Sequence, residues 1–569
     1  MFIRFRWLPV PAICALALLL FCQTIAIAAP PVNLPSSVDP GRVEQHFQKA
    51  PEPQAKPAIT VPEPAEQLPP DQAEAVRFVL SAIEVEGATI YSREQLLPLW
   101  QEFLGKEISL LQVYRIADAI TAKYRNAGYI LSQAIVPPQK IEGGIVHIKV
   151  IEGYVNEVVI EGDVQAREGL FREWAEKIKA SRPLDNAVLE RYSLLANDLA
   201  GVKVSTVLKP SATAPGASDL VLAVTTDKPI NANGTVDNRG TKTSGPVQYS
   251  AGLTANSLLH LFERTSVNYS TTHDFRALRY FSVNHDEVLT SEGTKLSLTA
   301  SQSLTRPDDY LEVYDIKGDS VSAGFTVGFP LLRSRSQNLT LSGGFTLRNS
   351  QTDTLGQLQS HDRIRELVAT MSYDLADTYG GVNMATLGFY QGMNILNATE
   401  PGSPNLTRVD GHSDFSKITA YLSRKQELGH DFSLEVAATG QYAFMSLLSS
   451  EEFGYGGSQF GRAYDSSEIT GDSGMAARAE LQYTGRPDAL QVRYLQSYVF
   501  YDYGAIWNRS ATRPDHQDGA SAGLGLRLAV TDYLSGSVEL TKPLTRDVAA
   551  ELPDDGKEPR IFFTATARY

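Results

Sequence analysis

The sequence predicts a mainly β protein: a transmembrane antiparallel β-barrel of about 16 strands, preceded by two α/β modules and a short N-terminal helix. Three observations lead there. From residue 230 onward, apolar and polar residues alternate with a period of two. Between residues 78 and 229, strand and helix patterns follow one another in an order that occurs twice. After residue 28, no apolar run reaches 18 residues, so a bilayer must be crossed by strands of a closed barrel.

The 569-residue chain is 43% apolar and 20% charged, which excludes a disordered acidic tail and a multi-helix membrane protein. Its 51 basic against 65 acidic residues give a net charge of −14, a poor match for nucleic acid as partner. At the N-terminus, Arg4 and Arg6 precede an apolar stretch from Ile13 to Phe21, and Ala26-Ile27-Ala28 follows with small residues. That layout is a secretory signal peptide, residues 1–28, with cleavage after Ala28. The apolar stretch is shorter than the ~20 residues of a membrane anchor. Bulky Phe21 before Cys22 argues against a lipoprotein site. Cleavage would remove Cys14, Cys22 and both arginines, leaving no thiol and a charge of −16. Disulfides and cysteine-based metal or redox chemistry are thereby excluded.

Residues 29–75 read as a helix in a proline-rich linker, with seven prolines between Pro51 and Pro70. Asp39 suits an N-cap, Pro40 the first helical position and Pro51 a stop, predicting a helix over about 40–50. So short a helix needs a docking surface. In the first module, residues 76–153, a strand is expected at Ala82–Gly87, and helices at Ser92–Phe103 and Leu110–Asn126. Strands at Tyr129–Val136 and Ile145–Ile151 complete it. The second module, 154–229, repeats the order. It has a strand at Val155–Glu161, helices at Ala166–Ala180 and Asp185–Ala200, and strands at Val202–Leu208 and Asp219–Thr225.

In the barrel region, 230–569, Val321, Ala323, Phe325, Val327 and Phe329 interleave with Ser320, Ser322, Gly324, Thr326 and Gly328. Phe432, Leu434, Val436, Ala438, Tyr442 and Phe444 alternate with Ser433, Glu435, Thr439 and Gln441. The final strand sets Ile561, Phe563, Ala565, Ala567 and Tyr569 against Arg560, Thr564, Thr566 and Arg568. Aromatic residues near strand ends and a Thr/Ser/Gln/Arg polar face favour a barrel over a soluble sandwich. Sixteen strands leave about 21 residues each with their connections, enough for the ~9–11 that span.

Several segments resemble a known family. Tyr124-Arg125-Asn126-Ala127-Gly128-Tyr129-Ile130, Val136-Pro137-Pro138-Gln139, Gly143-Gly144 and Val150-Ile151-Glu152-Gly153 match the polypeptide-transport-associated (POTRA) module of two-partner secretion transporters. These are the haemolysin-activator and haemagglutinin-exporter proteins of the outer membrane. Val236-Asp237-Asn238-Arg239-Gly240 resembles the family's first barrel strand, and the resemblance runs from Asp39 to Tyr569. It implies a pore that takes a large unfolded exoprotein through POTRA domains in the periplasm and passes it to the cell surface without ATP. It further implies a plug helix in the lumen, carrying Arg42, Glu44 and Phe47, and contact with outer-membrane lipid and lipopolysaccharide. The POTRA motif residues are Tyr124, Gly128, Tyr129, Pro137, Gln139 and Gly153.

The segment Gly456–Tyr464, continuing to Gly471-Asp472-Ser473-Gly474, resembles the family's long inward-folding loop, here about 446–474. By position Arg462 is the loop's arginine, with Gly461 and Tyr464 beside it. Phe500-Tyr501-Asp502-Tyr503-Gly504 makes Asp502 its partner on a lumen-facing strand. The family usually shows Val-Arg-Gly-Tyr or Val-Arg-Gly-Phe, whereas Gly461 and Ala463 flank the arginine here. Physically, a guanidinium shielded from bulk water needs a carboxylate, and its planar fork suits bidentate pairing.

Gly471-Asp472-Ser473-Gly474 also spells a serine-protease nucleophile motif, but it lies in a polar loop with Met475 following, and none of the nine histidines falls in a recognisable motif. No paired metal-ligand spacing and no phosphate-binding GxxxxGK[ST] occurs, so an enzyme, a metal site and a cofactor are not expected. Two alternatives remain open: an assembly factor that inserts other barrels, and a small-solute porin.

Overall fold

The computed structural model describes residues 35–56, 70–214, 216–485, 492–510, 513–551 and 556–569. The signal-peptide expectation, and the linker over 57–69, lie outside the described residues. The N-terminal helix is shorter than expected: α1 covers Val43–Phe47 only. Asp39 does not cap a ten-residue helix. Its Oδ1 accepts the Gly41 N–H at 2.9 Å, forming a turn ahead of α1. Gln48 is already extended, with ψ 135°. Pro51 disfavours helical backbone at Ala50, so the chain continues extended.

In the first module, α2 (Pro70–Ala75) and β1 (Arg77–Val79) precede β2 (Ala82–Glu86) and α3 (Arg93–Leu96). The expected helix through Phe103 is broken after Leu96 into two 3-10 turns, Leu97–Leu99 and Gln101–Phe103. Pro98 supplies no N–H to continue an α-helix there. Then come β3 (Glu107–Ser109), α4 (Leu110–Asn126), β4 (Gln133–Ile135) and β5 (Ile145–Ile151). Ser109 caps α4, accepting the Gln112 N–H at 3.3 Å, and Val113, Ile116, Ala117, Ile120 and Tyr124 form its buried stripe. The strand expected from Tyr129 begins only at Gln133, because Tyr129 N–H turns back to the Tyr124 carbonyl at 3.0 Å. β5 pairs with β2 in parallel and with β4 antiparallel.

The second module holds β6 (Val155–Glu161), α5 (Glu168–Ala180), α6 (Asn186–Asn197), β7 (Val202–Pro210) and β8 (Ser218–Thr226). Asp185 caps α6 through the Ala187 N–H at 2.8 Å. The sheet order is β6-β8-β7.

The barrel opens with β9 (Ile230–Asp237), β10 (Gln248–Asn256), β11 (Arg264–Thr272), β12 (Leu278–Val288) and β13 (Lys295–Thr305). It continues through β14 (Lys317–Arg333), β15 (Gln337–Thr354), β16 (Gln357–Ala376), β17 (Gly381–Gly392), β18 (Ser416–Gly429) and β19 (Phe432–Ala443). A hairpin of β20 (Phe453–Tyr455) and β21 (Ile469–Gly471) stands apart from the wall. The wall resumes with β22 (Ser473–Gly485), β23 (Tyr494–Trp507), β24 (His516–Ala529), β25 (Leu534–Pro543) and β26 (Arg560–Arg568). Sixteen antiparallel strands close the cylinder, and β26 meets β9 over Thr564–Arg568.

Val321, Phe325, Val327, Phe329, Leu341 and Phe432 are exposed on the outer wall, as a lipid-facing surface requires. Aromatic pairs mark both rims: Tyr442 with Phe444 at one end and Phe432 with Tyr483 at the other.

The second module is seated on the rim formed by the turns after β10, β12 and β14. Phe262 enters its core beside Phe171 and is 2% exposed. Trp174 Nε1 donates to the Ser291 carbonyl at 2.7 Å. Arg333 grips Asp198 through Nε and Nη2 at 2.8 and 2.6 Å, Arg167 pairs with Glu287, and Lys177 with Glu292. The hydrogen bond from Lys177 holds the Glu292 carboxyl below the usual carboxylate range, and the same bond raises Lys177. This docking marks one end of the cylinder.

Candidate functional site

The connection from β19 to β22 leaves the opposite rim and folds back into the lumen. Its hairpin places Phe453, Tyr455, Phe460, Tyr464 and Ile469 against Ala437, Ala476 and Ile506 of the wall. This packing depends on glycine. A Cβ on Gly504 would stand 2.2 Å from the Tyr455 ring, and one on Gly461 2.7 Å from it. Gly461 also has φ +80°, which suits the tight turn closed by Tyr464 N–H to the Gly461 carbonyl at 2.8 Å.

Arg462 follows that turn and is 2% exposed, and Asp502, on β23, is fully buried. Arg462 Nε and Nη2 donate to Asp502 Oδ2 and Oδ1 at 3.1 and 2.9 Å. The backbone N–H groups of Gly461 and Arg462 reach the same Oδ2 at 3.2 and 3.0 Å. The guanidinium lies 3.5 Å from the Phe500 ring centroid. Tyr464 Oη donates to the Ala520 carbonyl at 2.9 Å.

Sequence reasoning missed the rest of this network. Arg462 Nη1 also meets Glu480 at 2.5 Å, and Arg527 holds Glu480 from the other side at 2.6 and 3.1 Å. Arg239 pairs with Glu539 and donates to the Arg462 carbonyl at 3.1 Å. Strand parity could have found Glu480, since it alternates with Ala479 and Leu481 on a strand whose odd residues face lipid.

A second buried cluster ties down the loop's base. Arg408, from the connection between β17 and β18, meets Asp472 at 2.5 Å and Glu452 at 2.8 Å. Asp472 also accepts the Leu447 and Arg509 N–H groups at 2.7 and 2.8 Å. Ser473 Oγ accepts the Ala443 N–H at 3.1 Å. The protease-like tetrapeptide thus uses both side chains to hold the loop.

The N-terminal segment occupies the lumen between this loop and the wall. Arg42 donates to the Ser449 and Glu452 carbonyls at 2.5 and 3.2 Å. Glu44 meets Arg348 at 3.3 Å, and Arg348 also holds Glu451 at 2.8 Å. Phe47 stacks on Tyr280 of β12 at 4.9 Å. Beyond α1 the extended chain reaches the rim on which the second module sits, where Ala55 N–H bonds Asp374 Oδ1 at 2.6 Å and Lys56 N–H bonds the Arg335 carbonyl at 2.7 Å.

Of the six motif residues of the first module, Tyr124, Gly128, Tyr129 and Gly153 lie at α4's end and the junction with the second, whereas Pro137 and Gln139 lie along the edge of β5. Tyr124 Oη donates to Glu152 at 2.8 Å, and Gly128 and Gly153 carbonyls accept Asn186 and Leu184 N–H groups at 2.9 Å. Burial opposes ionisation of Glu152, yet the Thr89 hydroxyl, the Ile90 and Thr89 N–H groups and Tyr124 together hold it below its usual range. Burial, then Glu152 itself, raises Tyr124. Tyr129 lies 6.1 Å from the Tyr124 ring. The Gln139 side chain pairs with the His147 backbone at 2.7 Å in both directions and with the Pro137 carbonyl at 3.2 Å. It thereby completes the edge of β5 that short β4 leaves open.

Residues 216–528 match the family described as haemolysin secretion/activation protein ShlB/FhaC/HecB. The chain belongs to this family. Residues 78–153 match the POTRA domain, ShlB-type. As a ShlB/FhaC/HecB member it is an outer-membrane transporter of two-partner secretion, with its POTRA modules in the periplasm. It is similar to the heme/hemopexin transporter protein HuxB of Haemophilus influenzae, 23% identical over 468 residues, 80% of this chain and 81% of HuxB. It is also similar to the outer membrane transporter CdiB of Escherichia coli, 25% identical over 492 residues and 80% of each chain. The solved structure of CdiB from Escherichia coli superposes with a TM-score of 0.71 at 21% identity, covering 90% of this chain and 94% of that one.

Proposed function

We propose that this chain holds its export pore shut with two of its own segments and opens it by releasing them to a large unfolded exoprotein. The division that serves this reading is a plug and linker over 29–75, POTRA modules over 76–153 and 154–229, and a barrel over 230–569. The exoprotein's N-terminal secretion domain would dock on the POTRA modules by strand addition, its main chain pairing with exposed sheet edges. It would then thread the lumen as an extended chain and fold outside, which makes return unfavourable without ATP. The relatives' names, a heme/hemopexin transporter and an outer membrane transporter, support a transported cargo for this chain, here taken to be a large secreted protein. Outer-membrane lipid and lipopolysaccharide surround the barrel. The chain acts as a conduit with no catalytic step, cofactor or metal.

The observation that carries this reading is that α1 and the inward loop share their anchors. Arg348 is held between Glu44 of the helix and Glu451 of the loop, and Arg42 binds loop carbonyls. Arg462 and Asp502 set the loop's resting position. Arg42, Glu44 and Phe47 seat the helix. Channel recordings on the full chain test this: removing residues 36–50 should raise the open conductance several-fold, and an unchanged trace refutes a plug.

A further inference from the structure

On the outward face of β16 the residue types change abruptly. Its odd-numbered residues face lipid, since Leu367 and Met371 are exposed while Glu366 and Val368 line the lumen with Arg348 and Lys417. Along that outward face stand Leu375, Tyr373, Met371, Ala369 and Leu367, then Arg365, Arg363 and His361. Leu375 is at the periplasmic rim. The N–H of the next residue, Ala376, bonds the Ser336 carbonyl, and the adjoining Arg335 N–H bonds Glu190 of the second POTRA module at 2.9 Å. From Leu375 to Arg365 is a step of ten residues. At ~3.3 Å per residue and a tilt of ~40°, that step rises about 25 Å, the height of the apolar band of an outer-membrane barrel. Arg365 and Arg363 therefore stand at the head-group level of the outer leaflet.

Among the described residues no ion pair includes either arginine. Arg365 is fixed by neutral oxygens: Nε donates to the Leu396 carbonyl at 3.2 Å, and Nη1 to Asn349 Oδ1 at 2.9 Å and the Arg348 carbonyl at 3.2 Å. Its Nη2 has no acceptor among those residues. Arg363 is half-buried, with its Nε enclosed and without an acceptor. The carboxylates on neighbouring strands, Asp319 and Asp353, are engaged by the Gln302 and Gln351 amides instead. Two like charges on adjacent outward positions repel each other, and an anion held between them removes that cost.

The surroundings are amphipathic. The ladder between β16 and β17 stops at Glu366, and the connection after β17 takes over the edge. Met393 N–H bonds the Arg365 carbonyl at 2.8 Å and Thr399 N–H the Arg363 carbonyl at 2.9 Å. This connection sets exposed Leu396 beside Arg365, while exposed Leu367 and Phe389 lie toward the hydrocarbon.

We infer that Arg363 and Arg365 bind a phosphate of lipopolysaccharide, whose acyl chains lie over Leu367 and Phe389. The inference rests on the outer-membrane assignment. The outer leaflet presents a phosphorylated glycolipid at this height, and guanidinium forks match phosphate oxygens. Arg365 also holds the connection that carries Arg408 to the base of the inward loop, so the bound lipid braces that anchor from outside.

Native mass spectrometry of the full chain extracted from the outer membrane, followed by titration with purified lipid A, tests this. Wild type should retain a lipid A adduct. Arg363→Gln should weaken lipid A retention about ten-fold, the loss expected for one charge-assisted hydrogen bond. The Arg363 side chain bonds nothing among the described residues, so the wall should survive the change. Arg363→Lys, which keeps the charge, should recover most of the affinity. Lipid A stripped of its phosphates should bind wild type no more tightly than lipid A binds Arg363→Gln. Arg424→Gln, at the periplasmic end where Arg424 meets Asp377 at 2.5 Å, should leave retention unchanged. Equal lipid A retention in wild type and Arg363→Gln, equal binding of the stripped lipid, or preferential retention of phosphatidylglycerol overturns the inference. A wild-type protein that fractionates with the outer membrane and secretes its exoprotein, yet carries no lipid A, overturns it while leaving the transporter assignment standing.

Discussion

Replacing Asp502 by Ala removes the group that receives four hydrogen bonds from the loop. Its two oxygens accept from Arg462 Nε, Nη2 and N and from Gly461 N, all within 3.2 Å, in a fully buried setting. Breaking a buried ion pair costs about 3–5 kcal/mol because the surviving charge is left without its partner. Arg462 keeps Glu480 at 2.5 Å, which places the loss near the lower end, about 3 kcal/mol. At 1.4 kcal/mol per tenfold, the ratio of seated to released loop should fall about a hundredfold. The assay is thiol labelling of Ala463→Cys, a loop position fully buried while the loop is seated, in the full chain embedded in membrane. The chain beyond residue 22 has no other cysteine, so labelling reports the loop alone. Labelling should accelerate in Asp502→Ala, less so in Glu480→Gln, and the double variant should lose less than the sum of the two. Equal labelling rates in wild type and Asp502→Ala would refute the reasoning.

Gly504→Ala should unseat the same loop without touching a charge, because its Cβ would meet the Tyr455 ring at 2.2 Å; raised labelling at Ala463→Cys reports it. Phe262→Ala should weaken docking of the second POTRA module by about 3–5 kcal/mol, read as faster hydrogen exchange in α5 and in the turn after β10. The Lys177–Glu292 contact should strengthen that docking between the ordinary values of the two groups. Glu292 is depressed, so its contribution is present above pH 4.5 and lost as pH falls further; Lys177 is raised, so its contribution is present below pH 10.5 and lost as pH rises further. Exchange in α5 measured across pH checks this, and Glu292→Gln should abolish the dependence. Phe47→Ala should lengthen open dwell times in channel recordings, since one stacked ring contributes about 0.5–1.5 kcal/mol beyond its buried area.

The barrel was legible because each strand has to show one face to lipid and one to water, and that constraint writes a period of two into residues such as Val321–Phe329. Helix α4 was legible for the analogous reason, with a clean apolar stripe and a serine cap. Where local signals competed, the reading failed. Pro98 inside an otherwise helical stretch, and a turn at Tyr129 that bonds backward, both shortened elements. Asp39 and Pro40 have good capping chemistry, but Asp39 closes a turn at Gly41 instead and the backbone is already extended at Gln48, so only Val43–Phe47 is helical. Arg462 and Asp502 were found through resemblance. Arg408, Glu452 and Asp472 were not, because their partnership joins two separate connections, β17 to β18 and β19 to β22, whose meeting no sequence spacing encodes. Nor could the sequence indicate that Phe262 of a barrel turn belongs to another module's core.

The most direct measurement is secretion of the partner exoprotein by a chain whose helix cannot leave the lumen. Phe47→Cys with Tyr280→Cys, joined by a short thiol crosslinker in place of the stacked rings, would fix α1 to β12. Export should stop on crosslinking and resume when a cleavable linker is cut. Export that continues at the wild-type rate with the helix fixed would contradict the account.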